Sequence, residues 1–367
     1  MFDYRARIQR PDIAAGRRIL VVSDIHANLP YFRGLLEKSG FCADDELIID
    51  GDFLEKGKQS LETLRFIMQL SRGGNVHTVC GNCDDWFDIF QMGDAGDRQV
   101  LSYIRWRKGG LLWDMLRELG ADPFEMTSLG DVKPALREAF PDEWAFLSSL
   151  PHAIETGNFI FAHAAVDPAK PLEEHSAEEL FRCDAFLGTG RKFDKWVVVG
   201  HWPVMLYGEN TVSAAPVIDR EKHIVSIDGG CVLKDDGQLN ALVIPDVRSE
   251  DFGCIAYDPF PKATVLNDQT AGERSYYIRW GDSDVEVLER GGEFSRCRHV
   301  RTGYEMDILT KYLFTDEKIT GTNDCTDYIL PLRAGDTVSV VETTSRGYFV
   351  KHDSISGWYF GELEKNG

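Results

Sequence analysis

The chain has 367 residues, 43% hydrophobic and 27% charged, an ordinary globular composition that excludes wholesale disorder. Its 40 Lys/Arg and 60 Asp/Glu give a formal net charge of −20, which argues against a nucleic-acid partner because phosphate backbones are held by general cationic charge. No apolar stretch reaches about 18 residues, so neither a membrane span nor a membrane partner is expected, and the charged start around Arg5-Ala6-Arg7 argues against an export signal. The cysteines, at 42, 80, 83, 183, 231, 254, 297 and 325, are scattered like reduced thiols and not arranged as a disulfide framework, which points to the cytoplasm.

Short β-branched runs alternate with helical patterns over the first two thirds. In chain order the strand candidates are Ile19-Leu20-Val21-Val22, Leu47-Ile48-Ile49, Val76 to Val79, Phe159-Ile160-Phe161, Val197-Val198-Val199 and Ile224 to Ile227. Helical candidates such as Ser60 to Leu70 and Pro134 to Leu150 lie between them. This alternation predicts a layered α/β domain over residues 15–250. Residues 251–275, with Pro259, Pro261 and Gly272, read as a linker. Residues 276–367 then show short alternating strands: Tyr276 to Trp280, Val285 to Leu288, Leu332 to Val340, Gly347 to Lys351 and Gly357 to Phe360. They predict a small all-β domain.

Strand candidates in the first domain end in ligand-type residues. They run into Asp24-Ile25-His26, Gly51-Asp52, Gly81-Asn82, His163 and Gly200-His201. In open α/β sheets ligands collect at the carboxyl ends of strands. Carboxylate, amide and imidazole together suit Mn, Fe or Zn better than Mg or Ca alone. The glycines at 51, 81 and 200 suit backbone that turns sharply beneath a ligand. Each piece alone recurs by chance; the shared context and the order carry the reading.

Asp24-x-His26, Gly51-Asp52, Gly81-Asn82, His163 and Gly200-His201 resemble the ordered signature of the calcineurin-like metallophosphoesterases. The likeness is closest to the phosphoprotein phosphatase branch, which includes bacterial serine/threonine phosphatases and symmetrical diadenosine tetraphosphatases. Trp106-Arg107-Lys108-Gly109-Gly110, Phe146 to Pro151, Phe161 to Ala164 and Ile227-Asp228-Gly229-Gly230 extend it over roughly residues 17–247. The resemblance implies a four-layer β-sandwich flanked by helices and two divalent metal ions, with Mn favoured and Fe or Zn as alternatives. One ion would be held by Asp24, His26 and Asp52, the other by Asp52, Asn82, His163 and His201, with Asp52 bridging. Two cations about 3.5–4 Å apart clamp a phosphate for in-line attack. No Walker loop or clear Ser-His-Asp arrangement competes.

The chain departs from the family pattern at the catalytic positions. Where the family has Gly-Asn-His-Asp or Gly-Asn-His-Glu, this chain has Gly81-Asn82-Cys83-Asp84. The missing histidine is the implied acid for the leaving group, and a thiol with a free pKa of about 8.5 replaces it poorly. Where the family has Gly-Asp-x-x-Asp-Arg-Gly, this chain has Gly51-Asp52-Phe53-Leu54-Glu55-Lys56-Gly57. Glu55 therefore lacks the histidine its family counterpart orients, and Lys56 keeps charge but loses the guanidinium fork. Two further family arginines align with Cys80 and Cys183, with Arg182 beside the latter.

The catalytic candidates are Asp52, Cys83, Asp84 and Lys56. The expected function is cleavage of phosphate esters, on a phosphoprotein or a small phosphorylated molecule, by metal-activated hydroxide attack. The alternative is a catalytically weak metal-binding regulatory protein, or pseudoenzyme, that recruits a protein partner through its C-terminal β unit. Cys80-Gly81-Asn82-Cys83 is also a C-x-x-C, a candidate redox pair. Trp86, Phe87, Phe90, Trp106 and Trp113 flank the third block as cap or core aromatics, and the tail's Leu-x-x-Gly-Asp-x-Val and Gly-Trp-Tyr pattern resembles SH3-like barrels.

Overall fold

The computed structural model describes residues 5–86, 94–316 and 319–365. Phe87 and Phe90 lie outside the described residues. The chain divides into two compact units. The first runs to Pro203 and adds Pro216–Leu233 and Gln238–Tyr257; the second takes Val204–Ala215, Lys234–Gly237 and the chain from Asp258 onward.

The strands in chain order are β1 (Ile8–Gln9), β2 (Ile19–Val22), β3 (Glu46–Asp50), β4 (Val76–Val79), β5 (Ala153–Thr156), β6 (Phe159–Ala162), β7 (Trp196–Val199), β8 (Val212–Ser213), β9 (Val217–Asp219), β10 (Ile224–Ser226), β11 (Leu239–Ile244) and β12 (Gly253–Tyr257). All but β8 belong to the first unit, in two sheets ordered β12-β11-β2-β3-β4 and β1-β5-β6-β7-β10-β9. β2, β3 and β4 run parallel, as do β6, β7 and β10.

Side chains alternate along a strand, so each run serves two layers. Ile19, Val21 and Ile48 join Phe161, Val198 and Val225 in one buried cluster, which draws on both sheets and fills the space between them. Leu20, Val22, Leu47 and Ile49 join Phe32, Leu35, Leu64 and Ile67 in another, beneath α1 (Leu29–Ser39) and α2 (Ser60–Ser71). This is the expected α/β sandwich with helices on its flank. The Asn28 side chain caps α1 by accepting the Tyr31 N–H, Pro30 sits in its first turn, and Gly40 closes it in the left-handed conformation. The helix expected from Pro134 to Leu150 is instead two, Lys133–Ala139 and Pro141–Ser149. Pro141 has no N–H for a continuing helix and opens the second.

The second unit differs from the expected tail. Its six-stranded sheet contains β8, taken from residues 204–215, and a strand Lys262–Val265 inside the expected linker. Residues 251–275 are therefore not simply a linker: β12 completes a sheet of the first unit, and Lys262–Val265 pairs with both Thr337–Thr343 and Leu363–Lys365. The prolines at 259 and 261 fall between those strands, where no ladder donor is required. The unit has three small cores among its described residues, one around Val265, Leu332, Val338, Val350 and Tyr359, one around Ile278, Val285, Cys297, Met306 and Ile308, and one of Met205, Val212, Ala214 and Tyr277. Its hairpin Tyr348–His352 to Ile355–Tyr359 turns through Asp353 and Ser354, both at positive φ, as a two-residue turn requires.

Candidate active site

The ends of five parallel strands carry the candidate ligands. Asp24 and His26 follow β2, Asp52 follows β3, Asn82 follows β4, His163 follows β6 and His201 follows β7. The loops interlock through backbone bonds: Asp24 N–H to Gly51 O (3.0 Å), His26 N–H to Asp52 O (2.9 Å) and Gly200 N–H to His163 O (2.9 Å). Asp24, His26, Asp52 and His201 all have left-handed φ, between 50° and 65°, without being glycine. Strain of this kind persists where the surroundings over-determine it, and it clusters at functional sites. Gly200 is required for another reason: a Cβ there would lie 2.2 Å from Asp24 Oδ2.

Donor atoms of Asp52, His163 and His201 converge within 4.8 Å of one another, and so do those of His26, Asp52 and Cys83. His163 Nε2 lies 3.2 Å from Asp52 Oδ1, while its Nδ1 bonds the Asp50 carbonyl at 2.8 Å, which fixes the ring. His26 Nε2 is 3.8 Å from Asp24 Oδ1. Asp24 Oδ2 accepts the His201 N–H at 2.9 Å, but Oδ1 is buried and has no hydrogen bond. The Asn82 amide donates to His201 Nδ1 (2.8 Å) and to the Phe181 carbonyl (3.2 Å) in its best-satisfied orientation, and a half-turn would present its oxygen to a cation instead.

The electrostatics suit an added positive charge. Burial, then Asp228 and, more weakly, Asp52 push Asp24 well above the usual carboxylate range. Burial also raises Asp52, yet the His163 charge and hydrogen bond hold it below that range. Burial lowers His163, and Asp52 overrides it to a net rise. His26 and His201 are pulled down to about 4, chiefly by burial, so both are neutral imidazoles at pH 7 and fit to donate a lone pair. An orphaned buried carboxylate oxygen, clustered acids and neutral imidazoles together form a donor set that fits divalent cations.

The remaining candidates separate. Cys83 sits beside the cluster, with its N–H on Asp52 Oδ1 at 2.8 Å; burial and Asp52 push its thiol well up. Lys56 is exposed and lines a cavity of about 360 Å³ with Glu55, Asn82, Cys83 and Tyr103. Asp84 does not fit the expected catalytic role. Both its oxygens are taken, by the Leu54 N–H (3.0 Å) and the Gly81 N–H (2.9 Å), so it pins two loops, and it is not among the residues lining that cavity. Burial, then Asp52, raises it to about 8. Arg182 faces His201 closely enough to lower its pKa. Cys80 is buried, with Sγ directed to the Gly81 carbonyl. Trp86 and Trp113 pack in or against the core as expected, whereas Trp106 is 76% exposed.

Sequence reasoning missed two neighbours. Asp184 Oδ1 lies 3.7 Å from His201 Nε2. Tyr103, on helix Asp94–Arg107, hydrogen-bonds Glu55 Oε2 at 3.0 Å. Its only signal was its place one helical turn before the Trp106 to Gly110 segment.

Parallel strands of two packed sheets ending on this donor set define a metallophosphoesterase-type site. The calcineurin-like phosphoesterase family model matches residues 17–223, more than half of the chain, and the chain belongs to that family. It is similar to the symmetrical bis(5'-nucleosyl)-tetraphosphatase of Buchnera aphidicola subsp. Baizongia pistaciae, 41% identical over 64 residues, which are 17% of this chain and 22% of the relative. It is also similar to the enzyme of that name from Psychromonas ingrahamii, 35% identical over 80 residues, 22% of this chain and 28% of the relative. The chain thus matches less than a third of the length of either. Among solved structures, a cold-active protein-tyrosine phosphatase of a psychrophile Shewanella sp. aligns with TM-score 0.43 and 14% identity, over 68% of this chain and 82% of that one.

Proposed function

We propose that this protein is a dinuclear-metal phosphohydrolase that cleaves phosphate esters of a phosphoprotein or a small phosphorylated molecule in the cytoplasm. The observation that carries this reading is that the six candidate ligands follow five strand ends, with donor atoms of Asp52, His163 and His201 within 4.8 Å of one another and His26 Nε2 3.8 Å from the orphaned Asp24 Oδ1. Asp24, His26 and Asp52 would hold one ion; Asn82, His163 and His201 would hold the other with Asp52 shared; Mn is the first choice and Fe or Zn the alternatives. When bound, such a pair supplies charge neutralisation at the phosphate and a water of lowered pKa.

The chain's own residues do the rest. His163 is oriented by the Asp50 carbonyl and Asp24 by the His201 N–H, so the donor set is pre-arranged. Lys56, which lines the cavity, and Arg182, whose charge reaches His201, would be the cations to meet phosphate oxygens. Cys83 occupies the position where the family has its general acid. The two tetraphosphatase relatives support adding phosphate anhydrides, such as a dinucleoside tetraphosphate, to the candidate substrates.

Elemental analysis combined with hydrolysis of p-nitrophenyl phosphate tests the reading. The expected result is two ions per chain and metal-dependent turnover. Bound metal without turnover on any phosphoester would favour the regulatory alternative, and no bound metal would end both.

A further inference from the structure

Cys83 stands where the family has its acid, and a thiol forms only weak hydrogen bonds to a leaving oxygen. A second pair of groups opens onto the same cavity. Glu55 follows Asp52 in the β3 loop at φ 62°, a left-handed conformation rare for its residue type. Its carboxylate takes two hydrogen bonds and its backbone N–H makes a third. The Leu111 N–H bonds Oε1 at 2.7 Å, the Tyr103 hydroxyl bonds Oε2 at 3.0 Å, and its own N–H bonds Ser60 Oγ at 3.2 Å. Gly110, at φ 101°, is the residue that permits this: a Cβ there would lie 2.3 Å from Oε2. Two segments of chain, at Tyr103 and at Gly110-Leu111, thus hold one carboxyl group that is only 3% exposed. Glu55 and Tyr103 line the cavity of about 360 Å³ together with Asn82, Cys83 and Lys56.

Resting on the phosphohydrolase reading, we infer that Tyr103 and Glu55 form the acid dyad of this enzyme, in which the Tyr103 hydroxyl protonates the leaving oxygen and Glu55 replaces the tyrosine's proton. The step balances. Water adds to phosphorus and the P–O bond to the leaving group breaks. With Glu55 protonated, its O–H donates across the 3.0 Å contact to the Tyr103 oxygen, the Tyr103 O–H proton passes to the leaving oxygen as the Glu55 proton passes to Tyr103, and Glu55 ends as carboxylate. The relay needs Glu55 protonated at neutral pH. Burial raises it to about 7, against the pull of the Leu111 N–H, Tyr103, Arg107 and Lys56. Tyr103 faces Glu55, Cys83 and Arg107; burial first, then Glu55, push its hydroxyl well up, so it holds its proton until one is demanded.

The test compares wild type, Tyr103→Phe and Glu55→Gln, each loaded with Mn²⁺, on phosphoserine and on p-nitrophenyl phosphate. An alkyl leaving group needs the proton and an aryl one needs it far less. Each variant should lose about 10²–10⁴-fold on phosphoserine and under about tenfold on the aryl ester, with bound metal unchanged. Wild-type phosphoserine turnover should fall as pH rises through about 7, as Glu55 ionises, and Glu55→Gln should lack that limb. In metal-free protein, ¹³C NMR of labelled glutamate should show one carboxyl titrating near 7 that Tyr103→Phe moves. Equal losses on both esters, no loss, or a Glu55 carboxyl titrating near 4.5 would overturn the dyad and leave the phosphohydrolase reading standing. A metal-loaded wild type inactive on both esters would overturn both.

Discussion

The two units use the same uncommon backbone conformation for different ends. In the second, the left-handed non-glycine residues among those described are Asp353 and Ser354, which close a hairpin whose flanking residues pair in regular register. In the first they include Asp24, His26, Asp52, Glu55, Lys56 and His201, all at the candidate site. A turn needs positive φ to match strand twist. A site needs it to swing several side chains toward one point, at about 1–3 kcal/mol each, which the sheets beneath must offset. Parallel strands make that arrangement available, since their carboxyl ends fall on one side of each sheet. The antiparallel second unit brings its ends together only pairwise.

The sharpest way to break this comparison is to remove the shared carboxylate. Asp52→Asn should abolish most metal binding and lower p-nitrophenyl phosphate turnover by a hundredfold or more, about 3 kcal/mol of transition-state stabilisation. Elemental analysis and circular dichroism should show lost metal with a retained fold. Retained metal would mean that Asp52 does not bridge.

A gain of function ranks next. Cys83→His should return an imidazole to the cavity wall beside Asn82 and raise phosphoserine turnover about tenfold or more, with a smaller change on p-nitrophenyl phosphate. Equal changes on both substrates would point to the altered phosphate clamp at Lys56 instead. A third variant addresses the units themselves. Truncation after Tyr257 should keep the metal stoichiometry but lower the melting temperature and promote association. It removes the partners of β8 and uncovers Met205, Val212 and Ala214, which pack with Tyr277. A truncated chain that stays monomeric with an unchanged melting temperature would show that residues 204–215 do not depend on the tail.

What could be read from the sequence followed its locality. The strand runs and the ligands just beyond them lie within a few residues of each other, so Ile19 to Val22 and the Asp24-x-His26 after it announce both sheet and site. Glu55 and Tyr103 lie 48 residues apart, and no spacing rule couples a loop glutamate to a tyrosine on a later helix. The exchange of β8 and Lys262–Val265 into one sheet is equally non-local, since Ser213 pairs with Ile355 and Ala263 with Val338 and Lys365. Pro259 and Pro261 signal irregular backbone; what they cannot signal is that each flank is a strand. A short motif carries residue types and not orientations: Asp84, a catalytic candidate by its place in the motif, has both its oxygens taken by backbone N–H groups.

The smallest effect separates the site's electrostatics from its chemistry. A buried carboxyl with a raised pKa binds its proton more tightly in the folded state than in the unfolded chain. Its stabilising contribution is fully present below the unfolded value and is lost as pH rises through the folded one. For Glu55 that window runs from its ordinary 4.5 to about 7. The full shift corresponds to roughly 3 kcal/mol. Metal-free wild type should therefore lose stability to urea across this window. Glu55→Gln, whose amide oxygen can accept from Leu111 while its NH2 donates to the Tyr103 hydroxyl, cannot ionise and should lose less over the same range. Asp50 and Asp84, raised to about 7 and about 8, bend the curve in the same direction in both proteins and so cancel in the difference. Parallel urea midpoints for the two proteins from pH 4.5 to 8 would mean that Glu55 is ionised through the neutral range. The carboxyl group would then be a fixed charge orienting Tyr103 and not a proton reservoir.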